Sequence, residues 1–170
     1  RPDRNYHQNK YDICKSKNIS LLQFWNFEIN NKYEIIESMI LNKCKKINKK
    51  IYARNCNVQE ISNTEAAIFI NNNHLQNITD NQISISYGIF YNSELVSVIC
   101  FRRKNDKYIL TRFCNLINLI VIGSFTKMMK YFILENNNYN EIITYSDNRY
   151  SSGSLYYNIN VIKTRENDIS

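Results

Sequence analysis

The chain has 170 residues, a net charge of +7 from 22 Lys and Arg against 15 Asp and Glu, and a hydrophobic content of 44%. That length supplies one sizeable core, or one domain plus a smaller piece, and no apolar run reaches the roughly 18–20 residues that a membrane-spanning helix needs. Five cysteines (Cys14, Cys44, Cys56, Cys100 and Cys114) lie far apart with no CxxC pair. The spacing gives no support to a zinc ribbon or dithiol redox motif and fits buried free thiols in a reducing, cytoplasmic setting. With Arg1 rather than Met in first place, the chain is expected to be a processed or partial polypeptide.

The charge is unevenly spread. Residues 1–55 carry twelve Lys/Arg and five Asp/Glu, and residues 56–170 carry ten of each, so the whole excess lies in the first third. It peaks at Lys43, Lys45, Lys46, Lys49, Lys50 and Arg54. Such a local field attracts polyanions, nucleic acid first; a solubilising lysine face is the alternative. The 28 asparagines, against three glycines and one proline, are scattered through periodic apolar patterns and read as codon bias, not as a low-complexity tract.

In chain order, residues 6–17 mix polar and apolar positions as a helix does. There His7 and Lys10 sit one turn apart on one face, where both can meet a phosphate or simply face solvent. Residues 19–25 (ISLLQFW) fit a buried strand. Residues 32–47 form an amphipathic helix with Ile35, Ile36, Met39, Ile40 and Cys44 on its apolar face and lysines in its last turns. Residues 51–61 read as a strand, and Ser62 with Glu65 forms a capping box opening a helix to about Asn72. Residues 83–91 and 94–103 alternate as two strands of a hairpin across Asn92-Ser93. An apolar strand over 108–113 then leads to Gly123, a helix with Phe125, Met128, Met129 and Phe132 on one face, and a strand over 141–145. A short helix over 153–158 and a last strand over 161–165 close the chain. The order from residue 51 is β-α-β-β-β-α-β-α-β, an α/β (α+β) chain.

The turn at Gly123 places unpartnered amides at a helix N-terminus, a ready anion site; a glycine that only lets the chain turn is the plainer reading. Asp147, Arg149 and Tyr156 form the best polar cluster, placed after a strand of the central sheet where α/β sites gather, either as catalytic groups or as a salt-bridged loop. His74 follows a helix end, where a polar cap is a sufficient explanation. Arg112, inside an apolar strand, needs a carboxylate (Asp147 is the expected one) or an anion.

This order resembles the GNAT acyltransferases, with a mixed, mostly antiparallel sheet and flanking helices. In that family the turn after the fourth strand binds the coenzyme A pyrophosphate, and Val121, Ile122, Gly123, Ser124 and Lys127 stand there. Leu155-Tyr156 resembles the family's tyrosine motif, which implies that Tyr156 protonates the leaving thiolate. Over nearly the whole length the chain also resembles phage homing-endonuclease-like proteins, in which a Vsr-like (EDxHD-type) nuclease segment precedes a GNAT-like domain. The matching residues are Tyr6-His7…Lys10…Cys14, Lys32…Glu34-Ile35…Ser38…Ile40, Ile51-Tyr52-Ala53-Arg54…Cys56 and Asn73-His74-Leu75-Gln76. They continue with Arg112-Phe113-Cys114, Val121-Ile122-Gly123…Lys127 and Tyr145-Ser146-Asp147…Arg149…Ser151…Gly153…Leu155-Tyr156.

The resemblance implies residues 1–50 as the end of a nuclease segment, a basic helix–strand–helix piece, and 51–170 as the GNAT-like domain. It implies DNA as partner through His7, Lys10 and the Lys43–Arg54 cluster, with no membrane. It also implies Tyr156, Asp147, Arg149 and His74 as catalytic candidates and acetyl-coenzyme A or another acyl-coenzyme A as cofactor. Asn26 and Phe27 replace the usual acidic pair, so a divalent metal and DNA cleavage are expected only with upstream carboxylates. Ser124 replaces a turn glycine, and its Cβ keeps a phosphate further from the loop. The readings are a DNA-associated mobile-element protein, a GNAT-type acyltransferase, or a non-catalytic relic of either.

Overall fold

The computed structural model describes residues 6–158, which fall into two compact units: residues 6–29 with 146–158, and Asn30–Tyr145. The strand expected over 161–165 lies outside the described residues.

In the smaller unit α1 (Tyr6–Ser16) forms as expected. Its end is set by Asn18 in the left-handed conformation (φ 55), with the Ile19 N–H donating back to Cys14 O at 2.9 Å and the Asn18 N–H to Lys15 O at 3.1 Å. This Schellman closure satisfies carbonyls that the helix end leaves open, and asparagine tolerates the left-handed position better than most residues. The strand expected over 19–25 is not formed. Leu21, Leu22 and Phe24 are half-buried in a stretch outside any sheet; Phe24 stacks on Tyr150, and the Gln23 N–H donates to Arg149 O at 2.8 Å. An apolar run becomes a strand only beside a ladder that takes up its backbone groups, and here packing and that contact hold it instead. A short helix, α2 (Asn26–Asn31), follows, and the helix expected over 153–158 is a 3₁₀ turn at Tyr156–Asn158.

In the larger unit α3 (Tyr33–Lys43) is shorter than its expected span. Ile35 and Ile36 are buried as expected, whereas Ile40 is exposed and so is Cys44. Ser38 is buried instead, its hydroxyl accepting the Asn118 N–H at 2.8 Å. The single strand expected over 51–61 is broken in two: β1 (Lys50–Tyr52) and β2 (Asn57–Glu60) flank a 3₁₀ turn at Ala53–Asn55 and join different sheets. Ser62 caps α4 (Asn63–Asn73), accepting the Glu65 N–H at 3.2 Å, as the sequence implies. The hairpin of β3 (Ile85–Tyr91) and β4 (Glu94–Lys104) also forms. Its turn residues Asn92 (φ 50) and Ser93 (φ 66) are both left-handed, the type I′ geometry that matches strand twist. Then come β5 (Lys107–Asn115), β6 (Ile120–Ile122), α5 (Ser124–Glu135) and β7 (Glu141–Thr144); β6 was not anticipated from the sequence.

The main sheet has the order β2-β3-β4-β5-β7, and β1 and β6 form a separate parallel pair. Its neighbours run antiparallel except β5 and β7, which are parallel. β4 is central and buried from Val96 to Phe101. One face of the sheet packs against α4 through Ala66, Phe69, Ile70, Val98, Cys100 and Cys114. The other meets α5: Phe132 stacks on Phe101 at 3.9 Å between centroids and meets Tyr108 edge-on at 5.0 Å.

A bulge decides which side chains of β5 reach which face. Arg112 pairs with Cys100 and Leu110 with Phe101, leaving Thr111 as the extra residue. Strand side chains alternate faces, so one inserted residue shifts the phase. Tyr108 therefore packs on Phe132 and Phe113, an odd number of residues later, packs on Phe125 of the same helix. The Thr111 hydroxyl stabilises the bulge by donating to Cys100 O at 3.0 Å.

Candidate functional site

The parallel pair at the sheet edge shapes the first site. The β5–β7 ladder runs from Lys107↔Glu141 to Leu110↔Thr144, where β7 ends. β5 continues through residues 111–115, paired to β4 on its other side. Among the described residues the β5–β7 pairing ends at Leu110 and Thr144 and no strand pairs with residues 111–115 on that side; the backbone groups of an unpaired edge can take an extended ligand much as they would take a strand.

The chain returns to this end of the sheet at Gly123, the N-cap of α5, with φ 80. Glycine adopts this conformation without the penalty that a Cβ brings. The Lys127 N–H closes the first helical bond, to Gly123 O at 3.0 Å. Gly123 is exposed, so the N-terminus with its partial positive charge is accessible.

The other turn residues have jobs inside the protein. Ser124 is 2% exposed, its hydroxyl 2.9 Å from Val121 O and 3.0 Å from the Asn115 carboxamide. The Lys127 ammonium donates to Ala53 O at 2.8 Å and Cys56 O at 2.5 Å, tying the 3₁₀ turn between β1 and β2 to α5. Val121 is buried and Ile122 is partly exposed beside Tyr52, its register partner in the β1–β6 ladder. What this turn offers an anion is therefore chiefly backbone amide.

His74 ends α4, its N–H donating to Ile70 O at 2.7 Å. The Gln76 N–H donates to its Nδ1 at 3.0 Å. The same Nδ1 lies 3.1 Å from Gln76 O, so the ring is tied to the backbone of the turn that follows α4. Arg112 braces the same turn, donating from Nε to Gln76 O and from Nη2 to Asn77 O, both at 3.3 Å, and from Nη1 to Thr111 O at 2.6 Å.

In the smaller unit Arg149 is the centre of a charged cluster. Its Nη2 lies 2.7 Å from Asp147 Oδ2 and its Nη1 2.9 Å from Glu28 Oε2, with Nε 3.1 Å from Asp147 Oδ1. The guanidinium also lies over Trp25 and Tyr150, 5.6 and 5.5 Å from the ring centroids. Burial works against its charge, but the hydrogen bonds and charges of Asp147 and Glu28 more than offset it and hold Arg149 above its usual pKa. Burial, then the Asp147 carboxylate, pushes the Tyr150 phenol up as well. A guanidinium shared by two carboxylates is a fastening, and of the alternatives open for Asp147 and Arg149 this geometry matches the salt-bridged loop.

Glu28 escaped the sequence reading, which noted only that Asn26 and Phe27 were not acidic. It is 5% exposed, and its Oε2 also accepts the Trp25 N–H at 2.8 Å. A glutamate three positions into a helix start, able to reach back to the preceding amides, was the available signal.

The remaining candidates scatter. The His7 Nδ1 lies 3.0 Å from Gln23 Oε1 and its ring stands edge-on to Trp25, while Lys10 is exposed; Lys43, Lys45, Lys46, Lys49, Lys50 and Arg54 are all exposed too, and the Arg54 guanidinium lies over the Tyr52 ring at 5.0 Å. Three of the five cysteines are buried, but Cys14 is half-buried and Cys44 exposed, against the expectation that all five are buried. Burial pushes the Cys100 thiol up to about 12 and also raises Cys114, so neither is a nucleophile near neutral pH. Among the described residues no three His, Cys, Asp or Glu side chains are grouped to hold a metal ion, and no helix is long and apolar enough to cross a membrane.

An antiparallel sheet continued by one parallel strand, with a helix packed on each face, matches the fold of the GNAT acetyltransferases. Among solved structures, the chain is similar to the ribosomal-protein-alanine N-acetyltransferase from Brucella melitensis biovar Abortus 2308. The TM-score is 0.52 at 10% identity, over 68% of this chain and 97% of that one. A second similar structure, described as a possible acetyltransferase from Clostridium difficile 630, covers 68% of this chain and 95% of its own at 10% identity, with a TM-score of 0.48. No family model matches the chain, and no curated protein matches it. The fold supports the GNAT part of the resemblance and gives no support to a nuclease segment.

Proposed function

We propose that the chain is an acyltransferase-type protein that binds acyl-coenzyme A along the open edge of β5 and at the Gly123 turn. The observation that carries this reading is the end of the β5–β7 pairing at Leu110 and Thr144, with a glycine held at φ 80 at the start of α5 and Ser124 bonded to Asn115 at the end of β5. The fit is one of backbone: residues 112–115 offer amides and carbonyls to an extended chain, Thr111 O being taken by Arg112, and the α5 amides offer donors to phosphate oxygens. Acyl-coenzyme A would supply an activated acyl group. Val121 and Ile122 would bring the chain into the turn, Gly123 would present it, and Ser124 and Lys127 would keep its shape through their contacts with Val121, Asn115, Ala53 and Cys56. His74 would act through its place at the end of α4, where its ring holds the turn at Gln76. The role of Tyr156 as proton donor to the leaving sulfur rests on its sequence motif alone.

Calorimetric titration with acetyl-coenzyme A tests the reading, wild type against Gly123→Ala. A Cβ at Gly123 meets only Ala53 Cβ, at 4.0 Å, so the substitution has room and acts through backbone conformation. The left-handed position then costs on the order of 1 kcal/mol, and turned amides weaken binding about tenfold. Equal affinity of the two proteins would remove the turn from the site.

A second reading has one observation in its favour: the six basic residues from Lys43 to Arg54 are all exposed on one stretch, which suits contact with nucleic-acid phosphates. Binding of a DNA duplex that weakens steeply with salt would support it.

A further inference from the structure

We propose that a hollow beside the edge strand β2 is a second binding site, for an uncharged sugar ring such as a pyranose unit of a glycan. The hollow has a volume of about 540 Å³ and is lined by Asn55, Asn57, Gln59, Phe90, Asn92 and Ser93. It is separate from the open edge of β5, because β3 and β4 lie between β2 and β5 in the sheet order.

Three separately fixed pieces of backbone deliver the polar groups. Asn57 and Gln59 alternate onto one face of β2, opposite Phe90 and Gly88. Asn92 and Ser93 are the two left-handed residues of the type I′ turn. Asn55 ends the 3₁₀ turn that Lys127 holds through Ala53 O and Cys56 O. Their backbone is in place before a ligand arrives, so the ordering cost is confined to the side chains.

Their chemistry selects the ligand. Among the described residues none of the five polar side chains hydrogen-bonds to another residue, whereas Asn63, Asn71, Asn73 and Asn136 are committed to structural contacts. Each carboxamide offers an acceptor and two donors in one plane, the pattern that neighbouring sugar hydroxyls satisfy, since each hydroxyl both donates and accepts. No lysine, arginine, aspartate or glutamate lines the hollow, so a phosphate or carboxylate finds no counter-charge, and a lipophilic ligand would strand the amides. Phe90 supplies an apolar floor for the C–H face of a ring. It also packs against the core on the α4 side, which leaves less of it for the face-to-face stacking that a nucleobase needs.

The test is saturation-transfer NMR on the full chain with the methyl glycosides of glucose, mannose, galactose and N-acetylglucosamine, and with adenosine for comparison. At least one glycoside is expected to receive saturation, with a dissociation constant on the order of 1 mM. Asn57→Ala and Asn92→Gly, both on the surface and the glycine suited to the left-handed turn position, are expected to keep the wild-type melting midpoint and should each weaken it about fivefold or more. Coenzyme A should leave the signal intact, whether or not it binds elsewhere. Transfer to no glycoside, transfer to adenosine alone, signals indifferent to both substitutions, or displacement by coenzyme A would each overturn the proposal.

Discussion

Arg149→Met is expected to destabilise the protein by about 3 kcal/mol or more, because it removes the guanidinium that two largely buried carboxylates share. Glu28 is 6% and Asp147 21% exposed in their side chains, each within 3 Å of the guanidinium. The methionine keeps much of the stem's packing, so the loss comes from charge and hydrogen bonds. For a chain of this size it corresponds to a fall of roughly 6–12 °C in melting temperature. Arg149→Lys should recover part of it at most, because one ammonium cannot serve two carboxylates in the planar arrangement that a guanidinium gives. A melting temperature unchanged in Arg149→Met would mean that Glu28 and Asp147 are solvated as well without the arginine as with it.

Phe132→Ala is the second large effect, at about 3–5 kcal/mol. Phe132 is fully buried and sits at the centre of an aromatic group: it stacks on Phe101, meets Tyr108 edge-on, and has the Tyr87 and Tyr139 rings 6.2 and 5.7 Å away. Removing the ring empties a space bounded by a sheet and a helix, neither of which can collapse far. Urea unfolding should show a lower midpoint with an unchanged slope. Phe132→Leu, which keeps most of the volume, should lose less than half as much. An alanine variant within about 1 kcal/mol of wild type would contradict the packing between α5 and the sheet.

Local chemistry made the hairpin at Asn92-Ser93, the Ser62 cap and the Gly123 helix start legible, because each is decided within a few residues. The apolar spacing of Phe125, Met128, Met129 and Phe132 likewise marked the buried face of α5. What escaped depends on partners far along the chain. Residues 51–61 read as one strand because their apolar pattern continues, and nothing local shows that Lys127 holds a turn through Ala53 and Cys56. Residues 19–25 read as a strand because an apolar run does not reveal whether a neighbouring strand exists. Glu28 meets Arg149 across 121 positions, beyond any periodicity. At the candidate site, the glycine was readable and the open edge of β5 was not, because it depends on where β7 stops.

The central claim is that acyl-coenzyme A lies against β5 and the start of α5, and amide hydrogen exchange with and without acetyl-coenzyme A tests it most directly. The account predicts slower exchange in residues 111–115 and 124–127 when the cofactor is present, with residues 43–54 unchanged. Exchange unaltered in both of the first two stretches at saturating cofactor, or slowed only in 43–54, would contradict it.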